Sequence, residues 1–479
     1  MGDFFLLSGI AFLFRFLPVF LIIYYLVPER RKNEVLFFGS CLFYACGEPV
    51  WLVLLLFLTV ANYAIGQTLY ASGYQKRRRK KKSRSIRAKE RARRNRLISI
   101  LLMDAGFLVV FKAILYVFPE FRVPVGMSFY IFKMISYQVD LYRMQPKERP
   151  GFFDTVAYFT MFPQLTQGPI MRYGEGFPFR LKEEKGIKTA KERFLFWMER
   201  LEEGLFYVCA GFCMKALLAD KLGAFWHELA GLGYESISTP LAWLGAYAYT
   251  FQLYFDFWGY SLIAAGIGIM LGFPFIVNFN HPYAAANISD FYRRWHVTLG
   301  SWFKDYVYIP LGGSRGSSFK TCRNLLVVWF LTGFWHGGTL NFLLWGMILG
   351  GLVVFEKQVF QKQSFFKTFM GKFAVWFLIP LTWVIFALQN LRELPVYFAR
   401  LFPIINLGKT LNPLDYQRYI GNVGPILIIC VILCIPQVFG WMEKHRKNYL
   451  VCLGLAAVFC YAAYTVILSG SQAFLYFNF

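Results

Sequence analysis

The sequence predicts an all-helical protein that crosses a membrane many times. Of its 479 residues, 57% are hydrophobic and 20% are aromatic, which is more than an ordinary water-soluble protein contains. Apolar runs long enough to cross about 30 Å of hydrocarbon recur from one end of the chain to the other. Because these runs read as one continuous bundle, we expect a single membrane-embedded domain over residues 1–479.

The first four apolar runs cover residues 4–27, 35–46, 51–70 and 97–118. Between the third and the fourth lies a basic segment, residues 75–96, which holds fourteen Lys or Arg and one acid, a net charge of +13. A run of this kind can bind nucleic acid, but between membrane spans it favours a cytoplasmic loop against anionic lipid headgroups. We therefore expect membrane lipid, and no nucleic acid, as its partner.

Proline and glycine interrupt the apolar pattern in two further segments. Residues 123–143 begin with Pro124 and Gly126, which predict a break or a re-entrant turn. The segment MFPQLTQGPIMRY, residues 161–173, contains two prolines and a glycine, which exclude a regular helix. Non-helical backbone at membrane depth is tolerated only where protein or a water-filled cavity surrounds it. We therefore place this segment against an internal cavity, with Arg172 at the rim.

The second half contains a longer apolar run, residues 241–273, which is enough for two helices. Within it, YFDFWGYS contains Asp256 and a glycine and predicts a break between the two. We expect Asp256 to face protein rather than lipid, because an acid at membrane depth is costly. Further apolar runs cover residues 205–218, 342–359, 374–388, 426–439 and 449–468.

Residues 274–346 differ from the rest and form the candidate catalytic core. Their first part is too polar to span a membrane and too aromatic for a linker. Between Trp295 and Tyr306 apolar residues recur every three or four positions, and Ser289 with Asp290 offers N-cap chemistry. This pattern predicts one amphipathic helix that lies along the membrane surface.

Two histidines in this core, His296 and His336, each directly follow a tryptophan. A titratable side chain at membrane depth costs about 2.5 kcal/mol or more when charged, so it marks either a site or a buried pairing. Burial favours the neutral imidazole, which can act as a general base on a hydroxyl or a thiol. The alternative is a histidine hydrogen-bonded between helices for packing. No HxxxH or HExxH pattern is present, so we expect no metal site.

Four cations, Arg293, Arg294, Lys304 and Arg315, give the same core a positive charge. Guanidinium groups suit phosphate, so these residues are candidates for holding the arm of coenzyme A or of a phosphopantetheine. Each one alone is equally well explained as a cation that reaches the lipid headgroups.

The motif DFYRRWHVTLGSWFKDYVYIPLGG, followed after a short basic loop by NLLVVWFLTGFWHGG, resembles the membrane-bound O-acyltransferases. Within that family the chain is most similar to the bacterial branch of alginate O-acetylation proteins and of the D-alanyl transfer protein of teichoic acid synthesis. The segments PVGMSFYIFKMISYQVDLYR, FPQLTQGPIMRYGE and GFPFIVNFNHPY extend the resemblance over most of the chain.

The resemblance implies a ring of about eleven transmembrane helices around a central tunnel, with re-entrant and interfacial helices. His336 matches the family's essential catalytic histidine, and His296 matches a second important position. The residues expected to line the tunnel are Trp335, Asn341, Asp256 and Arg172.

The implied reaction moves an acyl group, most simply acetyl, from a cytoplasmic thioester donor across the membrane to a hydroxyl. The donor is acetyl-CoA or a phosphopantetheine thioester, with no permanently bound cofactor, and the acceptor is an extracytoplasmic polysaccharide or a partner acetyltransferase. The location expected is the cytoplasmic membrane of a bacterium, with multiple spans. Two alternatives stay open: D-alanyl transfer from a carrier protein to teichoic acid, and, in a different class, transport of an anionic lipid or glycan.

Overall fold

The computed structural model describes residues 5–78, 84–118, 121–144, 149–176, 189–337, 339–359, 365–403, 410 and 412–469. These residues contain helices and irregular segments but no strand. The chain forms two compact units, Met1–Val208 with Ile263–Ile276, and Cys209–Leu262 with Val277–Phe479. The all-helical prediction is confirmed.

The α-helices in chain order are α1 Leu17–Leu26, α2 Lys32–Gly47, α3 Pro49–Arg78, α4 Arg84–Val117, α5 Met127–Met144, α6 Phe152–Thr160, α7 Tyr173–Gly176, α8 Ala190–Cys213, α9 Asp220–Leu232, α10 Thr239–Met270, α11 Ile288–Arg294, α12 Val297–Phe303, α13 Ser318–His336, α14 Leu340–Val359, α15 Phe365–Ala387, α16 Glu393–Leu401, α17 Gln417–Leu433, α18 Pro436–Lys444 and α19 Tyr449–Ser469. Among the described residues, six helices are long and apolar enough to cross a membrane. A seventh span results if α17 and α18, which meet at 71°, count as one. The chain is therefore a multi-pass membrane protein, while the ring of about eleven helices stays a prediction.

The irregular segment of the first unit has the predicted form. A single 3₁₀ turn, Phe162–Gln164, is followed by non-helical backbone, and residues 161–171 are all buried. Gly126, which precedes α5 with a φ of +74°, allows the backbone to approach this segment closely. A Cβ at that position would lie 2.2 Å from the Leu165 carbonyl oxygen, so only glycine fits.

The basic segment has helical backbone, and its place as a cytoplasmic loop between spans stays a prediction. Helix α3 continues to Arg78 and α4 begins at Arg84, so the segment is helical wherever the structure describes it. The physical reason is that Lys, Arg, Glu and Ala are good helix formers and that no proline interrupts the sequence between these two residues.

The predicted break at YFDFWGYS is wrong, because α10 runs unbroken for 32 residues. Asp256 is satisfied by an ion pair with Lys215, 3.1 Å away in the same unit. Gly259 provides space for a neighbouring backbone, since a Cβ there would lie 2.6 Å from the carbonyl oxygen of Gly211. Both residues that suggested a break therefore serve packing within a continuous helix.

A second glycine pair, in the first unit, has the same geometry on the same two helices. A Cβ on Gly266 of α10 would lie 2.5 Å from the carbonyl oxygen of Gly204 of α8, and the reverse distance is also 2.5 Å. Seven residues separate the two glycines on each helix, so each pair lies on one helix face. Small residues of this kind let membrane helices pack backbone against backbone.

Substitution of Gly266 by alanine is expected to destabilise the protein. The added methyl group forces the backbone of α8 to move, and overpacking of this kind costs about 1–3 kcal/mol. The midpoint of thermal unfolding in detergent should therefore fall by several degrees. Gly268→Ala, in the same helix with no atom within 4 Å of its Cβ, is the matched control and should not lower the midpoint. Equal midpoints for both variants would contradict this account.

Candidate active site

His336 is the last residue of α13 and is 95% buried within the second unit. Helices α13 and α14 pack closely because glycines stand at their contacts. A Cβ on Gly333 would lie 2.5 Å from the Phe342 carbonyl oxygen, and one on Gly346 would lie 2.6 Å from the Trp329 carbonyl oxygen. The end of α13, and with it His336, is fixed against the start of α14.

Aromatic rings surround the imidazole of His336. The ring centroids of Trp335, Trp345 and Phe386 lie 4.6, 5.0 and 5.1 Å from it, and that of Phe342 lies at 6.3 Å. Trp345 and Phe386 meet the imidazole almost at right angles, the edge-to-face arrangement that aromatic rings prefer. Packing therefore sets the position of the His336 ring in a largely apolar environment.

His296 lies between α11 and α12 with left-handed backbone angles, φ 45° and ψ 53°. The amphipathic helix predicted over this region is therefore interrupted. The backbone on each side of His296 bonds to the non-helical segment 278–280 instead, through Asn280 N–H to Arg294 O at 2.9 Å and Val297 N–H to Asn278 O at 2.8 Å. A left-handed residue other than glycine costs about 1–3 kcal/mol, and such strain is concentrated at functional sites.

Asn278 fixes the proton position on His296. The Asn278 side-chain oxygen accepts from the hydroxyl and the backbone N–H of Thr298, at 2.8 and 3.4 Å, and the Asn278 amide nitrogen donates to Ser261 Oγ at 2.9 Å. The same oxygen lies 3.0 Å from His296 Nδ1. Because a backbone N–H can only donate, the oxygen is correctly placed as an acceptor, and His296 Nδ1 must carry the hydrogen.

His296 Nε2 is consequently the basic nitrogen of the ring. It is buried and has no hydrogen-bond partner among the described residues. Complete burial lowers the pKa of His296 to about 3, since the imidazolium form would lose its hydration, so the ring is neutral at physiological pH. A neutral ring with its lone pair on Nε2 is a hydrogen-bond acceptor.

Both histidine rings lie close to the ring of Trp335. The Trp335 ring is 4.6 Å from the His336 ring and 6.3 Å from the His296 ring, and Phe257 covers His296 at 4.6 Å. The two candidate catalytic residues, forty positions apart in the sequence, are thus brought together within one unit.

The other candidate tunnel residues occupy different environments. Asn341 is fully buried, accepts a hydrogen bond from the Thr339 hydroxyl at 2.6 Å and donates to the Phe386 carbonyl oxygen at 3.3 Å. It therefore ties the turn after His336 to α15. Asp256 is held by Lys215, and Arg172, in the first unit, is half-buried at the end of the irregular segment.

The four candidate donor-binding cations differ in accessibility. Arg293, Lys304 and Arg315 are exposed, whereas Arg294 is half-buried and forms an ion pair with Asp290 at 3.0 Å. Among the described residues, no group of three or more histidine, cysteine or acidic side chains is placed to hold a metal ion.

The sequence profile of the membrane-bound O-acyltransferase family matches residues 36–392. The chain belongs to this family. The matched range contains both histidines, the turn that follows His336 and all of the candidate donor-binding cations. The protein is therefore an O-acyltransferase, and the transporter alternative is dropped.

Three bacterial relatives have described activities. A probable alginate O-acetylase of Pseudomonas aeruginosa is 35% identical over 92% of this chain and 82% of its own length. A peptidoglycan O-acetyltransferase of Helicobacter pylori is 27% identical over 98% of this chain and 96% of its own length. A teichoic acid D-alanyltransferase of Bacillus subtilis is 27% identical over 46% of this chain and 56% of its own length.

Asn278, Ser261 and Thr298 were not singled out by the sequence analysis, although they organise His296. Asn278 belongs to the NFNHPY segment that carries part of the family resemblance. Its role depends on a side-chain contact across eighteen residues, which no spacing rule for helices or turns indicates.

The hydrogen-bond geometry predicts that His296 is the Nδ1–H tautomer in this O-acyltransferase. With only five histidines, ¹⁵N-histidine labelling and NMR can distinguish a protonated Nδ1 from a protonated Nε2. Asn278→Leu removes the acceptor and should shift His296 toward the other tautomer, whereas Ser261→Ala leaves the acceptor in place and should not. A His296 signal with the proton on Nε2 in the unmodified protein would contradict the assignment.

Proposed function

We propose that this O-acyltransferase moves an acetyl group from a cytoplasmic thioester donor across a bacterial cytoplasmic membrane to a hydroxyl of a cell-envelope polymer or of a partner acetyltransferase. The observation that carries the proposal is the pair of buried histidines, His296 and His336, whose rings both lie close to Trp335. Acyl transfer to a hydroxyl needs a base for the hydroxyl proton, and a buried neutral imidazole suits that task.

His336 is proposed as the general base. Its nitrogen accepts the proton of the acceptor hydroxyl while the hydroxyl oxygen attacks the thioester carbonyl carbon. The carbon–sulfur bond then breaks, an ester forms, and the leaving thiolate takes up the proton that the imidazole holds. The close packing of aromatic rings around His336 supports this role, because a base must be held in one orientation to act on a reacting atom.

His296 is proposed to assist through Nε2. This nitrogen accepts a hydrogen bond or relays a proton near the same tryptophan, and the hydrogen bond from Nδ1 to Asn278 selects the neutral tautomer in which Nε2 carries no hydrogen. The strained backbone of His296 supports a functional role, since nothing in the packing of a plain helix would require it.

The donor phosphates are proposed to bind at the exposed cations Arg293, Lys304 and Arg315. Arg315 lies in a turn whose glycines Gly312, Gly313 and Gly316 have positive φ angles, just before the N-terminus of α13. The backbone N–H groups of a helix N-terminus favour anions, and arginine matches phosphate geometry. Arg294 is a weaker candidate because Asp290 already engages it.

Acetyl is favoured over D-alanyl as the transferred group. The two O-acetylating relatives named above align with more than nine tenths of this chain, whereas the D-alanyltransferase aligns with less than half. Transfer of D-alanine from a carrier protein to teichoic acid is kept as the second candidate because the aligned part is still substantial.

Replacement of the proposed base is expected to abolish turnover. His336→Gln keeps the size of the side chain but removes the basic nitrogen, so acetyl transfer from radiolabelled acetyl-CoA in reconstituted protein should fall by at least about 100-fold. The exposed His227 provides the control, and His227→Gln should retain full activity. Unchanged acetyl transfer by the His336 variant would refute the mechanism. Absence of turnover in all forms, together with D-alanyl transfer from a carrier protein, would favour the second candidate.

Removal of the Arg315 charge should weaken donor binding selectively. Arg315→Gln is expected to raise the KM for acetyl-CoA by up to about fivefold, the limit for an exposed ion pair, and to leave kcat unchanged. With acetyl-pantetheine, which lacks the phosphates, the variant and the unmodified protein should have the same KM. A KM that rises equally for both donors would exclude phosphate recognition by Arg315.

A further inference from the structure

A large apolar cavity lies in the second unit, outside the candidate active site. It is open on one side and is lined by the end of α8 with the start of α9, and by α17, α18 and α19, and its volume is about 1060 Å³. That is slightly above the range of about 300–1,000 Å³ for pockets that hold drug-sized ligands. None of the residues assigned above to acyl transfer lines it. We propose that it binds an anionic phospholipid, with an acyl chain in the cavity and the phosphate at Lys221.

The dimensions of the cavity fit an acyl chain of one leaflet. Its walls extend from Gly421 to Leu433 on α17 and from Leu450 to Tyr461 on α19. At 1.5 Å per residue these walls are about 18 and 16 Å long. The hydrocarbon core of a bilayer is about 30 Å thick, so each wall covers about one leaflet.

The protein's own side chains do not fill this space. Helices α17 and α18 diverge by 71° at Pro436, which opens a gap between them and α19. Two glycines of the lining, Gly421 and Gly454, have no atom within 4 Å of the place where a Cβ would stand. An open apolar cavity of this size in a membrane protein favours hydrocarbon as its occupant, since the side chains that line it gain dispersion contacts when it is filled.

Lys221 provides the charge for a phosphate. It is the one charged residue among those that line the cavity, it is exposed, and it forms no ion pair with any described residue. It lies at the end of the cavity that Gly421 marks. Phe225, one turn after Lys221 on α9, contacts Tyr419, with ring centroids 5.2 Å apart. Tyr419 stands only two residues before Gly421, where the α17 wall begins. A cation at the end of an apolar cavity suits an anionic headgroup.

A transmembrane helix of another protein is the other occupant to consider. A helix that crosses the bilayer needs about 20 residues and about 30 Å of contact length, roughly twice the length of these walls. A crossing helix also need not carry an anionic group beside Lys221 at the end of the cavity, whereas an anionic phospholipid always does. The length and the charge therefore both favour a phospholipid.

The test uses the full chain in nanodiscs that contain equal amounts of phosphatidylglycerol and phosphatidylcholine. After extraction into mild detergent, native mass spectrometry counts the lipids retained by each variant. The unmodified protein should retain one phosphatidylglycerol. Lys221→Gln should lower its retention about fivefold, the change expected from one lysine near a membrane surface. Lys372→Gln, which removes an exposed lysine outside the cavity, should have no effect.

A second variant tests the cavity itself. Gly454→Leu fills the space and should remove the retained lipid, whereas Gly440→Leu, equally unobstructed but not part of the lining, should not. Equal retention of phosphatidylglycerol in all variants would show annular lipid only and would overturn the proposal. A membrane protein that co-purifies in stoichiometric amount with the unmodified chain, and is released by Gly454→Leu, would also overturn it. The readout needs no acyl turnover, so its outcome is independent of the proposed function.

Discussion

Polar groups inside a membrane-embedded helical protein must find their partners within the protein, and this constraint organises the structure. Within the first unit, the fully buried Asp104 accepts a hydrogen bond from Asn62 at 3.0 Å. Within the second unit, Asp256 pairs with Lys215. The same requirement governs the candidate site, where Asn278 satisfies three donors at once. An unpaired polar group in an apolar environment costs roughly several kcal/mol. Each of these pairs therefore holds together the two helices or segments that carry its members.

Glycine provides the complementary constraint, since it determines how closely the helices that bear these groups approach. The pairs on α8 and α10 and the contacts between α13 and α14 all place a backbone carbonyl where a side chain would otherwise stand. Rigid helix contacts matter for His336 because the residue lies at a helix end, where the chain would be least constrained. Gly333 and Gly346 therefore fix the end of α13 against α14, and the rings of Trp345 and Phe386 then fix the imidazole of His336.

The sequence predicts those features that depend on local composition and fails for those that depend on a partner. Apolar runs indicate the helices, and the prolines and glycine of residues 161–173 indicate the irregular segment. The break predicted at Asp256 was wrong because the sequence does not show the partners of the two residues that suggested it. The backbone of Gly211 accommodates Gly259, and Lys215 pairs with Asp256. The interruption at His296 was missed for a related reason. The residues around it have a helical pattern, but hydrogen bonds to residues 278–280 outweigh it.

Neither of the two histidines lies in the middle of a helix, and the geometry of a regular helix gives a reason. Inside a regular helix each backbone group is already bonded, and a side chain is confined to the orientations that its helix face allows. His336 is the last residue of α13, and His296 lies between α11 and α12. Both residues for which chemistry is proposed therefore stand at a helix end. The cost of the left-handed residue is offset by the bonds on either side of it. The site thus uses helix ends, and the packing of α13 against α14 holds one of those ends in place.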